Sequence, residues 1–135
     1  MNKNPAFTEG QSILIVDDEP TARTLLRLIL VRAGYHVVEA VDGYEALAKL
    51  KETAVNLVLL DVMMPGINGI DVCRKIRDNE KTAVIPVLLL SAKTDVHSIR
   101  RGLAAGADEY LTKPISAETL LNHLGGALNG SGRNK

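Results

Sequence analysis

The sequence has a single cysteine, Cys73. No intrachain disulfide can form, so the fold must rest on its own core, and the expected setting is a reducing compartment. Neither sign of charge is in excess: 16 Lys and Arg balance 16 Asp and Glu, for a formal net charge of +0. That balance argues against a general nucleic-acid or anionic-membrane surface, while leaving room for a local patch. No apolar run is long enough to span a bilayer, and there is no internal repeat. Residues 1–11 are mostly polar, include Pro5 and Gly10, and lack the apolar core of a signal peptide; they read as a flexible leader. The chain turns rich in Gly, Asn and Ser from Gly125, and 129–135 reads as a frayed tail or linker. The span between, 12–128, suits one domain, a size that buries roughly two-thirds of its unfolded-chain surface. The expectation is a soluble, cytoplasmic protein.

What the sequence does contain is a short apolar run that stops at an acid. In Asn56-Leu-Val-Leu-Leu-Asp61 the apolar residues are consecutive, and Pro65, Gly66 and Gly69 follow at once. Such a run, closed by turn residues, predicts a strand buried on both faces, with Asp61 at its carboxyl end. The same design recurs along the chain. Strands are expected at Ser12–Asp17, Tyr35–Glu39, Asn56–Asp61, Val84–Leu90 (Pro86 near its start) and Glu109–Thr112. Helices alternate with them. The first runs from Pro20 to about Ala33, with Ala22, Leu25, Leu26, Ile29, Leu30 and Ala33 on one face. The second opens at Asp42-Gly43 and the third after Asn68-Gly69, with Arg77 to Thr82 as the loop that follows. Thr94 is expected to cap the fourth, through Ala105, and Ser116 the fifth, with Leu120, Leu121, Leu124 and Leu128 buried. Five strand–helix alternations imply an α/β, doubly wound parallel sheet of five strands with five helices and right-handed crossovers.

In a parallel sheet all carboxyl ends share one edge. That edge would carry Asp17 and Asp18, Asp61, Ser91 and Lys113. Two carboxylates about 5 Å apart repel by about 3 kcal/mol at an effective dielectric of about 20. Lys113 offsets one charge, and a divalent cation would offset the others. The ligands on offer are hard oxygens with no histidine or thiol beside them in sequence, which selects Mg²⁺, or Mn²⁺, over zinc or copper. Mg²⁺ favours one or two carboxylates plus a phosphoryl oxygen, so the crevice reads as a phosphoryl site. Asp61 is the best-placed nucleophile, since carboxylates form acyl phosphates; Lys113 and the cation would stabilise phosphoryl charge, and Ser91 would donate a hydroxyl. A phosphatase working through an aspartyl phosphate is the competing enzyme reading, but the position two residues beyond the nucleophile is Met63, which has no proton to give. A flavin carrier is the competing binding reading, but Asp17-Asp18-Glu19-Pro20 is a poor phosphate cradle.

Four motifs together, Asp17-Asp18, Asp61-Val-Met-Met-Pro-Gly-Ile-Asn-Gly69, Ser91-Ala92 and Lys113-Pro114, resemble those of response regulator receiver domains from two-component signalling, chemotaxis-regulator-like in kind. The resemblance covers about Ser12 to Leu128. It implies a flavodoxin-like fold with strand order 2-1-3-4-5. It implies a phosphoacceptor role for Asp61, supplied by a phosphohistidine of a sensor histidine kinase or a histidine phosphotransfer protein. Asp18 and Asp61 would bind Mg²⁺ directly with the main-chain carbonyl of Met63, and Asp17 would act mainly through water. Ser91 and Tyr110 would form a switch pair, read out on the face made by the fourth helix, fifth strand and fifth helix. The Lys113-Pro114 bond would be cis. Such a module is not an enzyme toward an outside substrate; it catalyses only its own phosphorylation and dephosphorylation. Ser91 stands where many relatives have Thr, and Met63 and Lys93 occupy the variable flanks of the site.

Smaller features have plainer readings. Cys73 is expected in a helix core; His36, His97 and His123 are widely spaced and read as structural or exposed. Arg100 and Arg101, with Asp108 and Glu109, either pair across a symmetric dimer or form a solvated face, the preferred reading. The expected state is a monomer or a phosphorylation-enhanced homodimer, without direct nucleic-acid or membrane binding, acting on an unknown output partner or domain. The chain reads as a stand-alone receiver or one excised from a longer regulator.

Overall fold

In a computed structural model, residues 10–129 are described; residues 1–9 of the expected 1–11 leader, and the expected tail beyond 129, lie outside them. The elements run β1 (Ser12–Val16), α1 (Pro20–Arg32), β2 (His36–Ala40), α2 (Gly43–Glu52), β3 (Leu57–Asp61), α3 (Gly69–Asp78), β4 (Val87–Ser91), α4 (Val96–Ala104), β5 (Glu109–Thr112) and α5 (Ala117–Leu128). The strands form one parallel sheet of order β2-β1-β3-β4-β5. The parallel sheet is the one the alternation of elements implied, and its order is the flavodoxin-like one that the resemblance implied. Among the described residues no helix is long and apolar enough to cross a membrane.

Consecutive strand residues point to opposite faces of a sheet, and here that alternation builds two cores. Leu14, Val16, Val58, Leu60, Val87 and Leu89 pack on one face with Val72, Cys73 and Ile76 of α3 and with Ala46 of α2. Ile13, Ile15, Leu57, Leu59, Leu88 and Leu90 pack on the other with Leu26 and Leu30 of α1 and Leu120 and Leu124 of α5. Every residue of β3 is buried, as its unbroken apolar run requires. Truncating any of these leucines to Ala would cost about 2–5 kcal/mol.

Side-chain caps start the helices. Glu19 accepts the Ala22 N–H, Asp42 that of Glu45, Asn68 that of Asp71, and Ser116 that of Thr119. Each is worth about 1 kcal/mol. The fourth cap is Asp95 and not Thr94, because the Asp95 carboxylate takes both the N–H and the hydroxyl of Ser98; those bonds hold its pKa below the ordinary carboxylate value.

Other boundaries also differ from the sequence reading. The first strand ends at Val16, one residue before Asp17, and the second spans His36–Ala40 in place of Tyr35–Glu39. The fourth starts at Val87 rather than Val84, which is 73% exposed; Pro86 stands just outside, its carbonyl accepting the Val58 N–H. Arg77 belongs to the last turn of α3 and not to the loop. The fifth helix does run to Leu128, as expected, passing through Gly125 and Gly126 with Leu124 and Ala127 buried. Leu25 is exposed, and Leu121 and Leu128 are only half-buried.

Candidate functional site

Asp61 closes β3, and Asp17 follows β1 directly. In strand order Asp17 continues the set Ile13 and Ile15, Asp61 the set Leu57 and Leu59, and Lys113 follows Leu111, all on the face covered by α1 and α5. Period two therefore brings the three to one side of the sheet rim. Lys113 Nζ lies 3.4 Å from Asp17 Oδ2 and 3.8 Å from Asp61 Oδ1. The Lys113-Pro114 bond is cis.

Asp17 is only 2% exposed and Asp61 8%, whereas Asp18 is open to solvent. One carboxylate oxygen from each of the three lies within 4.8 Å of the others. Burial raises the pKa of Asp61 to about 6; Lys113 opposes that rise, the Asp17 charge adds to it, the Met63 N–H lowers it and the Asp18 charge raises it again. Three carboxylates against one ammonium leave a surplus of negative charge that a divalent cation would neutralise. The donor set is entirely hard oxygen, the chemistry that Mg²⁺ or Mn²⁺ accepts.

The loop after Asp61 wraps the site. The Met63 N–H donates to Asp61 Oδ1 at 3.3 Å. Gly69, the first residue of α3, donates its N–H to the Val62 carbonyl at 2.9 Å. A Cβ at Gly69 would overlap the main-chain oxygen of Asp61, so only glycine lets α3 start directly over the strand end.

Ser91 and Tyr110 lie on the other core's side of the rim. Ser91 is fully buried at the end of β4, and its hydroxyl accepts the Lys93 N–H at 3.0 Å. The Tyr110 hydroxyl donates to the Lys93 carbonyl at 2.8 Å. The ring of Tyr110 packs beside Gly102 of α4, where a Cβ would press on Tyr110 and Leu89.

Two site neighbours carried no signal that singled them out in the sequence. Arg23, in the first turns of α1, donates through Nη1 to the Asp17 carbonyl at 2.8 Å and through Nε to Glu39 Oε1 at 3.0 Å. An apolar groove of about 460 Å³ runs between α1 and the segment after β5, lined by Leu25, Ile29, Ala92, Lys113, Pro114 and Ile115.

The charged group expected on one face does not hold together. Asp108 is turned inward, where Oδ2 accepts Arg77 Nη2 at 3.0 Å and the Val87 N–H at 2.8 Å. Glu109 pairs with His123 of α5. Arg100 and Arg101 stay exposed on α4, as does His97. Cys73 is buried in α3, as expected.

Comparison with known proteins adds to this geometry. Residues 13–125 match the family model described as the response regulator receiver domain. The chain is 37% identical over 114 residues to Protein PilG of Pseudomonas aeruginosa, covering 84% of each. It is 46% identical over 109 residues to the transcriptional regulatory protein ResD of Bacillus subtilis, covering 81% of this chain and 44% of ResD. The chain thus spans about half the length of the transcriptional regulators it matches. Among solved structures, Vibrio cholerae chemotaxis protein CheY4 superposes with a TM-score of 0.81 at 35% identity, over 84% of this chain and 95% of that one. The signal receiver domain of a signal transduction histidine kinase from Syntrophus aciditrophicus does so with a TM-score of 0.84 at 35% identity, over 93% and 95%.

Proposed function

The chain belongs to the response regulator receiver domain family of two-component signalling, and on that premise we propose that Asp61 is its phosphoacceptor. The observation that carries the reading is the buried Asp61 carboxylate, gathered with Asp17 and Asp18 and faced by Lys113. An Asp61 carboxylate oxygen attacks the phosphorus of a phosphohistidine on a sensor histidine kinase or phosphotransfer protein. The P–N bond breaks, its electron pair stays on the imidazole, and an acyl phosphate remains on Asp61. Water later cleaves the acyl phosphate, so the domain turns over only its own phosphoryl group.

Asp18, Asp61 and the Met63 carbonyl would hold Mg²⁺ (or Mn²⁺), with Asp17 acting mainly through water; when bound, the ion supplies positive charge against the phosphoryl oxygens. Lys113 contributes its own charge to the same oxygens. The groove along α1 leads to Lys113 and suits an apolar donor surface that brings its phosphohistidine to Asp61.

Ser91 turns its hydroxyl toward the new phosphoryl group, and the Tyr110 ring follows inward, changing the face of α4, β5 and α5 for an output partner or domain. The charge balance and the fold support a protein partner rather than direct binding to nucleic acid or membrane, with the domain a monomer that dimerises more strongly once phosphorylated.

The test is incubation with acetyl phosphate and Mg²⁺ followed by intact-mass measurement. One added phosphoryl group is expected on the wild type and none on Asp61→Asn. An unmodified wild type, or an equally modified Asp61→Asn, refutes the assignment.

A further inference from the structure

Asp17 and Asp18 are neighbours in sequence but are supported very differently. Asp17 is pinned at its N–H by the Ala40 carbonyl (3.2 Å), at Oδ1 by the Glu19 N–H (2.9 Å) and at Oδ2 by Lys113 (3.4 Å). Asp18 is exposed, and among the described residues its carboxylate has no hydrogen bond or ion pair. Its aim is therefore set by the direction in which the main chain leaves Asp17.

That direction is shared between the turn closed by the Glu19 N–H on Asp17 Oδ1 and one side-chain contact from α1. The Asp17 carbonyl belongs to the peptide plane that joins the two acids, and it accepts Arg23 Nη1 at 2.8 Å. The guanidinium is fixed in turn by Glu39 of β2, 3.0 Å from Nε, and the Arg23 side chain is only 16% exposed. Without this bond, coupled rotation about the Asp17 and Asp18 backbone angles would swing the Asp18 carboxylate. Mg²⁺ demands near-ideal octahedral geometry and tolerates such movement poorly. The positive charge of Arg23 opposes a nearby cation, so its benefit must be positional; Glu39 neutralises that charge.

Arg27 supplies an internal comparison. It also pairs with Glu39, at 3.2 Å, but from the half-exposed side, and it makes no bond to Asp17.

We propose that Arg23 is a positioning residue of the cation site: by holding the Asp17–Asp18 peptide plane, with Glu39 as its anchor, it sets the affinity for a divalent cation. The proposal rests on the metal assignment above. Titration calorimetry of the unphosphorylated chain with MgCl₂ tests it, with melts in EDTA confirming that each variant is folded. Arg23→Ala should weaken Mg²⁺ binding about 10-fold, as loss of a ligand-orienting contact does. Arg23→Lys should recover part of that loss. Glu39→Gln should weaken binding as well, because it frees the guanidinium and leaves its charge uncompensated, and it carries the test if Arg23→Ala does not fold. Arg27→Ala should stay within about twofold of wild type, as an exposed ion pair would. Wild-type affinity in Arg23→Ala, or in Glu39→Gln where that variant stands in, overturns the inference, as does an equal loss in Arg27→Ala. No Mg²⁺ binding by the wild type itself overturns the metal assignment instead.

Discussion

Ser91 and Tyr110 hold opposite sides of the same residue: the Ser91 hydroxyl takes the N–H of Lys93, and the Tyr110 hydroxyl gives to its carbonyl. The two side chains come from neighbouring strands, β4 and β5, yet both report to one loop position. A change at Ser91 is thereby mechanically connected to Tyr110 through a single peptide segment.

Ser91→Ala should cut that connection. Losing the acceptor for a partly buried N–H costs about 1 kcal/mol. The variant should still take up a phosphoryl group from acetyl phosphate, more slowly. Tyr110 ring signals in NMR spectra should shift on phosphorylation of the wild type and stay unmoved in Ser91→Ala; an unchanged Tyr110 response would break the proposed coupling.

The raised pKa of Asp61 fixes a pH dependence for the cation-free protein. Folded Asp61 titrates near 6 against an ordinary value of 3.8, so between those limits the native state keeps a proton that the unfolded chain has released. Stability from this group is therefore present in full below the lower value and lost as pH rises through the upper. With screening at a partly open site allowed for, Asp61→Asn should stabilise the chain at pH 7.5 by about 1–2 kcal/mol. That gain should fall to about a third by pH 4.5 and vanish well below pH 3.8, as read from denaturant melts in EDTA. A gain that grows on acidification would contradict the burial argument.

Mg²⁺ should raise the melting temperature, by an amount equivalent to about 2.7 kcal/mol at a hundredfold excess over its dissociation constant. Asp17→Asn should reduce that response while raising the cation-free melting point, since it removes one of the carboxylates crowded at the rim. A melting curve that ignores millimolar Mg²⁺ would refute the ligand assignment.

Leu25 should separate protein donors from small ones. It is 58% exposed and lines the groove beside Lys113. Leu25→Asp should leave folding within about 0.5 kcal/mol of wild type, as exposed substitutions do, and leave acetyl phosphate uptake unchanged. Uptake from a histidine-phosphorylated protein active on the wild type should fall about 10-fold, equivalent to about 1.4 kcal/mol of lost docking. Equal loss with both donors would remove the groove from the donor path.

Much of the architecture was legible because each strand's apolar run ends in a turn or a polar residue, and each helix shows its cap or its stop. The failures have local causes. Val84 and Ile85 look like strand, but Pro86 interrupts the pairing and leaves Val84 in solvent. Thr94 and Asp95 are both good caps, and only the reach to Ser98 decides between them. Asp108 was grouped with Arg100 and Arg101 because they are close in sequence; its partner, Arg77, is 31 residues away. The acids of the rim were visible from the strand-end rule. Arg23 was not singled out, and Lys93 was named only as a flank of the site, because Arg23 binds a main-chain carbonyl and Lys93 acts through its own peptide groups, which every residue shares and no composition reveals.

The two-core alternation has a consequence for how a message travels. Asp61 and Ser91 belong to opposite faces of the sheet, yet each is the last residue of its strand. News of an event at Asp61 can pass round the rim without crossing the packed leucines behind it. In the proposed switch the packed sheet would serve as a baseplate, and only the loops along its edge would need to shift. Hydrogen exchange should accordingly change in the loops on either side of Lys93 while β1, β3 and β4 keep their protection. A switch of that kind would change state without loosening the two cores that hold it folded.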